Sequence, residues 1–171
     1  GEGLPAGFGW IRVDDPLAAL QKAAAAHRQK MNVRVIGITG SNGKTTTKEM
    51  LAHVLREAGR TVCATPGNLN RQIGLPIMLL DLHCDHTHAV LEMGASAKGD
   101  LTALASLARP SMAVLTGIGR AHLETFGSLD GVLAAKWELV ESLNRDGIAF
   151  LNGDDSVPEP GRDCVFERRR F

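Results

Sequence analysis

The sequence predicts an α/β fold, a mostly parallel sheet with helices flanking it. Three observations carry this. Short apolar runs at 33–38, 61–64, 88–93, 111–115 and 147–151 alternate with longer stretches of helical period. These runs mostly lack the in–out alternation of a half-exposed strand, which suits strands buried on both faces. Lys44, Glu92, His122 and Asp154 each lie at or after the carboxyl end of such a run, the edge where open α/β sheets bind ligands.

Residues 1–9 carry glycine and proline without a period. Asp15-Pro16 is a helix start, a capping side chain followed by proline in the first turn, and 17–30 reads as an alanine-rich helix. The first strand, 33–38, ends in a small-residue turn, and a helix follows from about Thr45 to Ala58, closed by Gly59. After the strand at 61–64 comes a polar turn, 65–70, and a short helix at 73–82 with Pro76 near its start. The strand at 88–93 places Glu92 at its carboxyl end. A loop at 94–99 leads into a helix at 101–108, with Asp100 as its candidate cap, and Pro110 breaks it. The strand at 111–115 is followed by a long loop, 116–127. Ser128 or Asp130 caps the next helix, which runs to about Leu143. The last strand is 147–151. Beyond Asp155 the pattern decays, with at best one frayed strand. Met50 and Trp137 read as packing residues.

The chain has 171 residues, enough for one good core. Lys plus Arg and Asp plus Glu both count 19, there is no Tyr, and Trp10 and Trp137 are the two tryptophans. Neither an electrostatic grip on nucleic acid nor a base-stacking platform is indicated. No apolar run approaches a membrane span, and no signal peptide is visible. Cys63, Cys84 and Cys164 are too far apart for a zinc pattern and odd in number, which fits a reduced, cytoplasmic compartment. His83, His86 and His88 share an Asp- and His-rich turn and read as a polar loop, not a metal cluster.

Strand 33–38, the turn Gly40-Ser41-Asn42-Gly43, Lys44-Thr45-Thr46 and a helix together make a P-loop-like phosphate site. Backbone N–H groups at the turn and helix start face an anion there, and the helix dipole favours it. Gly40 and Gly43 allow tight backbone and close approach of a phosphate. Lys44 supplies a point charge, and the Thr45 hydroxyl is a magnesium ligand. The general pattern wants a further glycine where Ile38 stands, so this is a shortened form.

The stretch TGSNGKTTTKEM at 39–50 resembles the ATP loop of the Mur ligases, a family that includes folylpolyglutamate and cyanophycin synthetases. Further stretches strengthen the resemblance: TPGNLNRQIGLP at 65–76, LEMGA at 91–95, AHLETFGSL at 121–129 and Ala135-Lys136. Together they are similar to the branch that joins D-alanyl-D-alanine to a UDP-N-acetylmuramoyl tripeptide in peptidoglycan precursor synthesis. The resemblance implies that ATP phosphorylates the peptide carboxylate and that the dipeptide amine attacks the acyl phosphate. It implies Lys44 on the ATP phosphates, Thr45 and Glu92 on magnesium, His122 at a second metal position, and Thr65 and Asn68 lining the cleft. Lys136 falls where the family carries a carbamylated lysine. Without that modification it would repel a metal, and alone it reads as a solvent-facing helix lysine. After 91–95 the family continues with Asn-His, where this chain has Ser96-Ala97, and Gly117 stands where an asparagine is usual.

Family members have three domains, and the full-length protein is expected to be a monomer. Here 1–30 reads as a linker and remnant of an N-terminal domain, 31–155 as a partial ATP-binding central domain, and 156–171 as an irregular tail. The central domain is incomplete by this reading, and the chain is expected to be inactive alone. Two other readings stand beside it: a nucleotide-binding module without ligation, and a related amide ligase with another acceptor. The stretches 68–70 and 121–127 favour the tripeptide ligase over the latter.

Overall fold

The computed structural model describes residues 9, 11–119, 123–153 and 167–170. His122 and Asp154, both singled out above, lie outside these residues, as does Cys164. The elements in chain order are α1 (Pro16–Lys30), β1 (Arg34–Thr39), α2 (Lys44–Glu57), β2 (Val62–Ala64), α3 (Gly74–Leu80), β3 (His88–Glu92), α4 (Asp100–Ala108), β4 (Met112–Leu115), α5 (Leu123–Phe126), α6 (Leu129–Glu141), β5 (Ile148–Leu151) and β6 (Glu167–Arg170). The strands form one sheet in the order β2-β3-β1-β4-β5-β6, every neighbouring pair parallel. The α/β class and parallel sheet read from the sequence are therefore observed.

Strand residues alternate between two apolar layers. Val35, Ala89, Leu91, Ala113 and Leu115 join the larger core, with Leu75, Leu101 and Leu139 of α3, α4 and α6. Ile36, Ile38, Val90 and Val114 face the other way, with Ala52 of α2. Both faces being buried explains why the strands read as continuous apolar runs. Because α2 buries only one narrow side, Met50 is exposed, contrary to its reading as a packing residue, whereas Trp137 does pack against the larger core.

Asp15 caps α1 by accepting the Ala18 N–H at 3.0 Å, with Pro16 in the first turn. This helix packs into the body. Ala24 is fully buried in the larger core, and Arg28 donates to the carbonyls of Ala108, Met31 and Val33. Ser128, not Asp130, caps α6 by accepting the Gly131 N–H. Within the expected long loop, 123–126 forms a helical turn. At the far end of the sequence, where an irregular tail was expected, 167–170 pairs with β5, because a parallel strand satisfies that strand's backbone groups.

His83 donates its backbone N–H to His86 Nδ1 at 2.9 Å, and the two rings stack. Among the described residues no cluster of His, Cys, Asp and Glu could hold a metal through three or more of them. None of the described helices is long and apolar enough to cross a membrane.

Candidate active site

The carboxyl ends of β1, β3 and β4 meet at the strand where chain direction across the sheet reverses, as expected for a ligand crevice. At the end of β1, Thr39 is buried and donates its hydroxyl to the Met93 carbonyl at 2.9 Å. The glycine turn then swings over β4. Gly40 has φ 146°, and a Cβ there would lie 2.2 Å from Thr116 Oγ1, so only glycine fits. Thr116 holds the turn from below, its hydroxyl donating to the carbonyl of Asn42 at 2.6 Å. Ser41 ties the turn to the next loop: its N–H donates to the Gly117 carbonyl at 2.8 Å and its hydroxyl accepts the Gly119 N–H at 2.9 Å. Gly43, at φ 80°, is the N-cap of α2 and offers no side-chain cap, leaving the first N–H groups of α2 for an anion.

Lys44, in the first turn of α2, curls back so that its Nζ donates to the Gly40 carbonyl at 2.8 Å. One residue on, the Thr45 hydroxyl donates to Glu92 Oε2 at 2.8 Å. Asn70 Nδ2 donates to the other carboxylate oxygen, Oε1, also at 2.8 Å. Glu92 is nearly buried and its carboxylate is held from both sides. Gly40, Ser41, Lys44, Glu92 and Lys136 line one cleft of about 220 Å³. Asn70 and Arg71 complete its wall.

Lys136 arrives from α6. It is 2% exposed, not solvent-facing, and its Nζ donates to the Ala95 carbonyl at 3.3 Å. Burial first, then the charge of Lys44, lower its pKa to about 8, with Asp100 and Glu138 opposing. Two residues along the helix, Glu138 accepts the Gly99 N–H at 2.6 Å and the Thr102 N–H at 3.1 Å. So the cap of α4 comes from α6. Asp100 does not cap its own helix, as the sequence suggested. It turns back and accepts the N–H groups of Ser96 and Ala97. Burial pushes its carboxyl up, but these bonds, Gln72 and Arg71 together outweigh that and hold it below the ordinary value.

Thr65 is 1% exposed and does not line the cleft. Its hydroxyl accepts the Glu92 N–H at 3.0 Å, and its carbonyl accepts the buried Lys48 Nζ at 2.6 Å. Asn68 faces a neighbouring chamber rather than the cleft. Thr46 is exposed at the start of α2.

A family profile described as the Mur ligase middle domain matches residues 38–163, most of the chain and all of the site. The chain belongs to the Mur ligase family. A UDP-N-acetylmuramoyl-tripeptide–D-alanyl-D-alanine ligase of Bacillus subtilis is 46% identical over 154 residues, which are 90% of this chain and 34% of that protein. A crystal structure of MurF from Acinetobacter baumannii superposes with a TM-score of 0.86 at 36% identity, over 94% of this chain and 36% of the other. MurF ligase from Thermotoga maritima, solved in complex with ADP, gives 0.84 at 36% identity, over 94% and 38%. The chain spans about a third of the length of the curated relatives it matches.

In this Mur ligase domain the sequence motif located Lys44, Thr45 and Glu92 at one place. It missed Asn70, Arg71, Thr116, Lys48 and Glu138. Asn70 and Arg71 lie inside the quoted 65–76 stretch, so the signal was present. Which of its side chains turn inward depends on a loop with no period. Thr116 stood just past a strand end, the position rule that selected the others.

Proposed function

We propose that the polypeptide carrying this domain is an ATP-dependent amide ligase that joins D-alanyl-D-alanine to a UDP-N-acetylmuramoyl tripeptide through an acyl phosphate. The observation that carries this reading is the Thr45–Glu92 contact at 2.8 Å beside the glycine turn, with Lys44 and Lys136 in the same cleft. Phosphoryl transfer needs alignment and charge neutralisation more than covalent help from the protein. The glycine turn, the start of α2 and Lys44 supply donors and positive charge for the ATP phosphates. The curled Lys44 side chain exchanges its carbonyl partners for phosphate oxygens.

The residues present fit magnesium. Thr45 and Glu92 offer two adjacent hard oxygens, suited to an ion that keeps several waters and takes its remaining ligands from phosphate. Bound there, magnesium would neutralise charge on the transferred phosphoryl group. Asn70 orients the Glu92 carboxylate. His122, outside the described residues, is assigned the second metal position by the family resemblance alone. Lys136 has the environment a carbamylated lysine needs: a lowered pKa leaves a larger neutral fraction to attack CO2, losing a proton and gaining a carboxylate. The carbamate then turns a repulsive cation into an oxygen donor facing the cleft.

The reading includes a cytoplasmic location, supported by ATP use and by the free thiols of Cys63 and Cys84, and a monomer at full length. It also assigns 31–155 to the ATP-binding domain of a longer polypeptide whose other domains hold the two substrates. The isolated chain should therefore fail to ligate. The test is phosphate release by the full-length gene product with ATP, magnesium, UDP-muramoyl tripeptide and D-alanyl-D-alanine. Release that requires both acceptor and dipeptide supports the reading. Release without the dipeptide, or none at all, overturns it.

A further inference from the structure

Beside the catalytic cleft lies a second chamber of about 540 Å³, between the start of α1, the loop before α3 and the start of α4. Arg71 and Gly94 line both spaces, so the two are adjacent. The chamber wall is mixed. Leu69, Ile73 and Leu104 give it an apolar floor, and Ser96 and Asp100 stand at its rim. Ile73 is 59% exposed, an uncovered aliphatic side chain next to the reaction site.

Three cations face the cleft, and two are tied down. Lys44 donates to the Gly40 and Ser41 carbonyls, and Lys136 donates to the Ala95 carbonyl. Among the described residues the Arg71 guanidinium has no hydrogen bond and no ion pair. Its charge adds to those of Lys44 and Lys136 on the cleft wall and is offset on the chamber side by Asp100. A guanidinium with open donors, between a cationic cleft and an aliphatic chamber, is complementary to a planar carboxylate on a partly aliphatic chain.

We propose that Arg71 is a substrate-binding residue that holds a carboxylate of the acceptor peptide where the cleft meets the chamber, with the peptide's aliphatic part on the chamber floor. This rests on the ligase reading above. It goes beyond it by naming the residue that selects a carboxylate-bearing acceptor and the surface on which the peptide lies.

The test compares the full-length enzyme with its Arg71→Met and Arg71→Lys variants. Binding of the UDP-muramoyl tripeptide is measured by titration calorimetry, and KM is measured separately for ATP and for the tripeptide. Loss of a bidentate charged contact should weaken tripeptide binding in Arg71→Met by about 10- to 100-fold, with KM for ATP within about twofold. Arg71→Lys should recover part of the loss, because it keeps the charge without the fork. Thermal melting should be unchanged for this exposed residue. Equal tripeptide affinity in wild type and Arg71→Met overturns the proposal, as does a rise in KM for ATP with tripeptide binding intact. A wild-type enzyme that binds no tripeptide at all overturns the ligase reading, and the proposal falls with it.

Discussion

The Thr45 hydroxyl and the Glu92 carboxylate meet at 2.8 Å although 47 residues separate them in sequence. One sits in the first turn of α2 and the other at the last position of β3. Parallel pairing of β1 with β3, with Ile38 opposite Glu92, brings them together. The opposite carboxylate oxygen is taken by Asn70, so Glu92 has one fixed orientation and turns its Thr45 side toward the phosphate loop.

Glu92→Gln should therefore lower kcat of the full-length ligase by at least about 100-fold, since the lost charge acts where phosphoryl charge develops. Thr45→Ala should raise the magnesium concentration needed for half-maximal rate, and Thr45→Ser should restore it. Steady-state rates against magnesium distinguish the two. Unchanged magnesium dependence in Thr45→Ala would remove Thr45 from the metal site.

Lys136 predicts a dependence on CO2. Only its neutral amine can be carbamylated, and its pKa near 8 makes that fraction fall as pH drops below that value. Activity in CO2-depleted buffer should fall with decreasing pH and recover on adding bicarbonate. Lys136→Ala should lose activity, and short carboxylic acids should restore part of it. Rates that ignore bicarbonate at every pH would leave Lys136 as a plain amine.

The same lysine predicts a stability effect. Its pKa is about 8 in the fold against 10.5 ordinarily, so between these values the unfolded chain binds more protons and stability rises with pH. Below about pH 8 the penalty is complete. In CO2-free buffer Lys136→Met should stabilise at pH 7 by up to roughly 3 kcal/mol, and the gain should shrink toward pH 10.5. Denaturant unfolding of wild type and variant at both pH values measures it.

Gly40→Ala should abolish ATP binding and destabilise the domain. The added Cβ would approach Thr116 Oγ1 to 2.2 Å at a backbone φ of 146°. Pairing it with Thr116→Ala removes the clash but not the strained backbone, so only part of the stability should return. Full recovery in the double variant, read by thermal melting, would show that the contact alone excludes a side chain there.

Glu138→Ala should be among the most destabilising single changes on α6. It removes the acceptor of the Gly99 and Thr102 N–H groups at the start of α4, a lost helix cap worth about 0.5–2 kcal/mol. Glu138→Gln keeps acceptor capacity for one of them and should lose less. Melting temperatures of the three proteins order the effect.

The sequence by itself determined the α/β class, the five strands within 33–151 and the phosphate turn. These are local matters: apolar runs of strand length, helical periods, and glycines and a Lys-Thr pair at fixed spacing. It also placed Lys44 past the carboxyl end of one strand and Glu92 at the carboxyl end of another, because strand direction and chain order are enough for that. Only the tertiary structure decided which polar side chains face one another. Thr65, read as a cleft residue, is buried under Glu92. Asp100, read as a helix cap, grips the loop before it, and Glu138 from another helix provides the cap. Lys136 looked like a solvent-facing lysine until α6 packed against the loop after β3 and enclosed it. The physical reason is common to all three. Local pattern fixes where a backbone element begins and ends, but the burial and partners of a polar side chain are set by neighbours dozens of residues away, through contacts that leave no periodic trace in the chain.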